Sequence, residues 1–111
     1  MLNNPKANYI QRGEVIDYKN NGNAVIKAND VVVLTSRIGV AGSDIKVGDT
    51  GSLNVVGVYE LPALNTESYT VGQIVYWKDD ALTATQTGAV EVGWVVEPKA
   101  TASATAIVKI G

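Results

Sequence analysis

At 111 residues, 46% of them apolar, the chain is long enough for one domain with a modest core and too hydrophobic to stay disordered. Its net charge of −2 speaks against a nucleic-acid binder, and the absence of cysteine removes disulfides, thiolate nucleophiles and zinc–thiolate sites. Histidine is absent too, so the usual imidazole base and the Ser-His-Asp arrangement are not available. Valine and threonine are prominent, and branched Cβ atoms suit pleated strands better than helices.

Residues 1–8 are polar, without period, and read as an arm that is mobile in the free protein. The division expected is an arm over 1–10 and a single β domain over 11–111. A first strand is expected at 14–18, with Val15 and Asp17 opposing Ile16 and Tyr18. Asn20-Asn21-Gly22-Asn23 has the chemistry of a tight hairpin turn, which predicts a return strand at 24–28. Val31-Val32-Val33-Leu34 is an unbroken apolar run and predicts a strand covered on both faces. Residues 37–41 are short and strand-like, and 42–51 read as turns on both sides of Ile45.

Residues 55–62 form the expected central strand, with Val55, Gly57, Tyr59 and Leu61 on one side and Val56, Val58 and Glu60 on the other. Both sides are largely apolar, which predicts cover on both. Gly57 signals a bulge or a close approach by another backbone or ring, and Pro62 ends the strand. A loop at 63–70 should send Asn65, Thr66, Glu67 and Ser68 to water. Gln73 to Trp77 alternate again, Lys78-Asp79-Asp80-Ala81 is a hairpin turn, and 82–86 return. In the segment after Thr87-Gly88, period two places Val90, Val92, Trp94 and Val96 on one face and Glu91, Gly93 and Glu97 on the other. Residues 104–110 close the fold. No helical period extends beyond two turns, so the expectation is an all-β subunit, a small barrel or a sandwich-like body, with an extended N-terminal arm.

Chemistry is sparse along this frame. Ser36, Ser43, Ser52 and Ser103 coexist with lysines, but each sits in or beside a predicted turn, where hydroxyls bond to backbone. Asp79-Asp80 and the Asp44/Asp49 pair also fall in turns and supply too few oxygens for Ca²⁺. The stretch Gly42 to Asp49 lacks the Lys-Ser/Thr of a phosphate loop, and no dinucleotide fingerprint occurs. Tyr18, Tyr59, Tyr76, Trp77 and Trp94 would stack bases if they shared one exposed face, but no basic residues line up beside them. No catalytic residue, metal or cofactor is expected. No apolar run approaches the length of a membrane span and the first residues lack a signal-peptide core, so a soluble protein is expected that avoids membranes.

Four blocks in order carry a resemblance: Asn8-Tyr9-Ile10-Gln11-Arg12-Gly13-Glu14-Val15-Ile16, Gly57-Val58-Tyr59-Glu60-Leu61-Pro62, Gly72-Gln73-Ile74-Val75-Tyr76-Trp77-Lys78-Asp79, and Val92-Gly93-Trp94-Val95. With Arg37-Ile38-Gly39-Val40-Ala41 between them, the chain resembles, over 8–110, the small capsid-cement (head-decoration) proteins of tailed bacteriophages and prophages. It departs from the pattern at the polar stretch Lys19 to Asn23. A recombinase label sometimes attached to such proteins finds no support, because the nucleotide-binding residues it needs are missing.

The resemblance implies a β-rich subunit that forms a homotrimer, sits on the outer surface of a phage head and clamps neighbouring major capsid subunits. It implies synthesis in the bacterial host cytoplasm and an N-terminal arm that orders on the shell, here through Leu2, Pro5, Tyr9 and Ile10. No enzyme activity and no nucleic-acid partner are expected on this reading. The alternative is a small nucleic-acid-binding β-barrel, and a small Ser–Lys or carboxylate enzyme is the third.

Overall fold

A computed structural model describes residues 4–111, and among them there are nine strands and no helix. Strands β1 (Val15–Lys19), β2 (Val31–Val33), β3 (Ile38–Ala41) and β4 (Thr50–Asn54) form an antiparallel sheet in the order β1-β4-β3-β2. Strands β5 (Gly57–Pro62), β6 (Ile74–Lys78), β7 (Ala81–Thr83), β8 (Val90–Val95) and β9 (Thr105–Ile110) form a second antiparallel sheet, ordered β5-β9-β8-β6-β7. The all-β expectation holds, and of its two forms the sandwich-like one fits. The second sheet curls until Ala63 meets Leu82 in a single parallel bridge, but no ladder joins β5 to β7.

The core lies inside that curl. Leu61, Val75, Trp77, Leu82, Val92, Val95, Ala106, Val108 and Ile110 all point inward, and Ile38 and Val40 of β3 close one side. Alternate positions of β6 and β9 fill this interior, Val75 and Trp77 from the one and Ala106, Val108 and Ile110 from the other. The first sheet buries Val32, Ala41, Ile45 and Leu53 outside the main cluster.

Several expectations change. The hairpin predicted at Asn21-Gly22 does not form, and 24–28 is not a strand: β1 pairs with β4, Ile16 opposite Leu53, and Ile26 makes only an isolated bridge to Ile45. The reason is Asn20, which is 2% exposed. Its Nδ2 donates to the carbonyls of Ala24 and Ile45, both at 2.9 Å, and its Oδ1 accepts from the Gly22 N–H. Its backbone bonds to the Gly48–Asp49 turn that leads into β4. Side chains also claim the next donors, Lys27 N–H to Asp30 and Ala28 N–H to Asp44, so the segment has no ladder to offer.

β4 begins inside the stretch 42–51 expected to be turn and runs on through 52–54; its composition, Thr-Gly-Ser-Leu-Asn, offers one apolar side chain and no strand signal. Gly51 is small for a packing reason: a Cβ there would sit 2.5 Å from Ile45 Cγ1. The run at 31–34 is an edge strand with Val33 in solvent, not a strand covered on both faces. The strand at 55–62 keeps its predicted alternation, but it lies at the sheet's edge. Tyr59 and Leu61 face in, and Val58 and Glu60 are wet. Gly57 meets the close approach expected of it, with the Tyr59 ring 3.0 Å from where its Cβ would be.

The β6–β7 hairpin is as expected, its turn made by Asp79 and Asp80 at φ 52° and 62°, left-handed values that Asp tolerates. β8 is not. Tyr76 pairs with Glu91 and Val75 with Gly93, so Val92 is an extra residue opposite one step of β6. This bulge turns Val92 and Val95 inward and sends Trp94 to the outside, against the simple period-two reading.

Candidate interaction surfaces

The N-terminal segment is the first surface. Residues 4–12 are exposed and outside any strand, with Tyr9 81% and Ile10 84% exposed. No backbone bond joins 4–13 to the other described residues, and the body is first engaged at Glu14, whose carbonyl accepts from the Val55 N–H at 2.9 Å. Between the two lies Gly13 at φ +79°, a left-handed joint that a side chain would strain. Of the four expected shell-binding residues, Pro5, Tyr9 and Ile10 therefore share one uncovered segment, and Leu2 lies outside the described residues.

A second surface was not found by sequence reading. Across the outer face of the five-stranded sheet, Val58 pairs with Lys109, Lys109 with Trp94, and Trp94 with Ile74. Val58 is 58%, Trp94 42% and Ile74 51% exposed, and Ile107 on the neighbouring row is half-buried. The row is held in register by Gly93. It sits at φ +154°, and a Cβ there would run into the Lys109 carbonyl. Only glycine fits, so the bulge and the outward Trp94 come together. Three exposed apolar side chains about a Trp, with the half-buried Lys109 among them, have the composition of a contact surface. The one sequence hint is Val95, an apolar residue on the side of the alternating run that otherwise carries Glu91, Gly93 and Glu97.

The buried Lys99 and the polar groups around it are engaged structurally. Lys99 is 5% exposed; its Nζ donates to the carbonyls of Glu67 at 2.5 Å, Ala100 at 3.0 Å and Thr101 at 3.2 Å, and lies 5.3 Å from the centre of the Tyr69 ring. The Tyr69 hydroxyl donates to Glu67 Oε1 at 2.9 Å and to the Leu82 carbonyl. Burial, then the bond to Glu67 and its negative charge, hold the Tyr69 hydroxyl well above its ordinary pKa. Glu67 also accepts from the Ala84 N–H and the Thr83 hydroxyl, so it faces inward and not to water as expected. This knot ties the loop after β5 to those after β7 and β8. Ser103, the serine nearest Lys99 in the chain, donates to the Thr105 carbonyl instead.

The five aromatics considered for base stacking are divided. Tyr59 and Trp77 face the core side of the second sheet, Tyr76 and Trp94 its outside, and Tyr18 belongs to the first sheet. Among the described residues no group of three or more Asp or Glu side chains is placed to hold a metal ion, and no helix is long and apolar enough to cross a membrane.

No curated protein and no solved structure matches the chain. A family model does, over residues 10–110, from just before the Gly13 joint to the last residue of β9, and its description is phage cement protein. An all-β body with an uncovered arm and an uncovered apolar row, matched over nearly its full length, belongs to the phage cement protein family.

Proposed function

We propose that this chain decorates the outer surface of a phage or prophage head as a homotrimer and stabilises contacts between neighbouring major capsid subunits. On this reading it is made in the bacterial host cytoplasm and acts by binding alone. What carries the proposal, beyond family membership, is that one rigid body presents two separate uncovered surfaces of different kind.

The row Val58–Lys109–Trp94–Ile74 suits a contact between copies of the chain, since its three exposed apolar side chains are fixed on paired strands and gain from being covered. The arm, with Leu2, Pro5, Tyr9 and Ile10, suits the shell: its described residues 4–10 make no backbone bond to the other described residues, and such a segment fits an exposed strand edge, gaining order on docking. Three arms on one trimer bind together, so contacts that are weak singly hold firmly.

The test is decoration in vitro. Purified protein sediments as a trimer, and adding it to undecorated mature heads raises the temperature at which they release DNA. Heads that leak at the same temperature with and without saturating protein rule the proposal out.

A further inference from the structure

The charges of the chain are unevenly divided. Of nine Lys and Arg and eleven Asp and Glu, Lys6 and Arg12 lie in the first thirteen residues and no acid does. Seven bases and eleven acids are left for the body, a net charge of −4. The arm, together with the residues that lead to the Gly13 joint, is thus a basic segment on an acidic remainder. Apart from the exposed pair Arg12–Glu14 at 2.9 Å, no ion pair joins it to the other described residues.

Alternation sorts the arm further. Laid out as a strand, Lys6, Asn8, Ile10 and Arg12 fall on one side, and Pro5, Ala7, Tyr9 and Gln11 on the other. One side has a cation at each end, about 20 Å apart at strand spacing, with Ile10 between them. The other side has no charge at all. Such a ribbon fits a strand edge or groove with two unlike walls.

We infer that the surface receiving the arm is an acidic groove of the major capsid protein. One wall carries carboxylates facing Lys6 and Arg12 on either side of an apolar slot for Ile10, and the other wall is uncharged and takes Tyr9. This rests on the cement reading and names the chemistry of its partner. The Gly13 joint lets the arm take its direction from that groove rather than from β1. Long-range attraction to the arm steers a subunit whose body would otherwise be repelled by an acidic shell.

The experiment titrates undecorated heads, from the phage that encodes the chain, with full-length wild type, K6E/R12E, K6R/R12K and I10S. It is run at about 50 mM and about 500 mM salt, which shortens the screening length from roughly 14 Å to roughly 4 Å. At low salt K6E/R12E should bind roughly tenfold or more weakly, with the gap closing to about twofold at high salt, and K6R/R12K should follow wild type. I10S should weaken binding at both salts, because apolar contact is not screened. All four proteins should sediment alike, since the substitutions lie outside the strands.

Equal binding by wild type and K6E/R12E at low salt overturns the acidic groove and leaves the cement reading standing. Wild type that decorates no heads at either salt sinks the cement reading itself. Retention of wild type but not K6E/R12E on single-stranded DNA assigns the acidic partner to nucleic acid and also overturns the inference.

Discussion

Trp94 stands directly across from Ile74 with its ring half in solvent because Val92 is one residue too many for the strand beside it. Without the bulge, Trp94 would share a side with Val90 and Val92 and enter the core. The extra residue therefore converts a core aromatic into the centre of an apolar row.

Trp94→Ser should separate the proposed trimer into subunits with little change in the stability of each, within about 1 kcal/mol, because the ring is not part of the packed interior. Gly93→Ala should do the reverse, costing the fold roughly 3 kcal/mol or more as the new Cβ meets the Lys109 carbonyl at a left-handed φ. Sedimentation reads the first and urea unfolding the second. A Trp94→Ser protein that stays associated at micromolar concentration would reject this face as the contact between copies.

Asn20→Ala should cost about 1–2 kcal/mol, since it removes both Nδ2 bonds and the Gly22 tether and releases the 21–24 loop, while the Ile45 carbonyl keeps the Ile26 N–H. Asn20→Asp should be no better, because a carboxylate oxygen then faces the Ala24 and Ile45 carbonyls. Urea midpoints of the two variants against wild type give the answer, and a loss under about 0.5 kcal/mol for both would mean the loop is held by its backbone alone.

These two sites show what a linear reading of this chain recovers. Local turn chemistry was legible where the turn closes on its own neighbours, as at Asp79 and Asp80, whose flanks pair at once as β6 and β7. It misled at Asn21-Gly22, because the partner of β1 is β4, some thirty residues on, and no local pattern encodes that choice. β4 escaped notice because glycine and serine stand where an alternating pattern needs bulk. Val58 lies in a run whose two apolar sides predict cover on both, and Trp94 alternates with Val90 and Val92; here the same chemistry serves the outside. The arm was visible as a stretch with no period, whereas the row appears only once four strands lie side by side.

Lys99→Met should lower stability by about 2–3 kcal/mol, even though methionine fills much of the same space. The loss comes from the carbonyls of Glu67, Ala100 and Thr101, which lose the donor they share at the buried Lys99 side chain. Amide exchange should rise first in 64–70 and 98–103, the two loops the ammonium joins, with β9 still protected. Uniform loss of protection across all strands would instead mean that the knot supports the whole fold.

Tyr69 gives the chain an alkaline limit. Its hydroxyl is held above its ordinary value of 10.0 by burial first and then by Glu67, so the folded state keeps this proton where the unfolded state gives it up. The contribution is complete below pH 10 and shrinks as pH rises from there toward the folded value; stability should therefore fall on the alkaline side because the unfolded chain binds fewer protons. In Tyr69→Phe the hydroxyl's bonds to Glu67 and Leu82 are gone, at a cost of about 1–2 kcal/mol at pH 7, and the variant should lose less than wild type between pH 9 and pH 11. Urea unfolding at steps across that range measures both slopes. Parallel slopes would show that the alkaline loss arises elsewhere and that the Tyr69 hydroxyl titrates alike in the folded and unfolded chain.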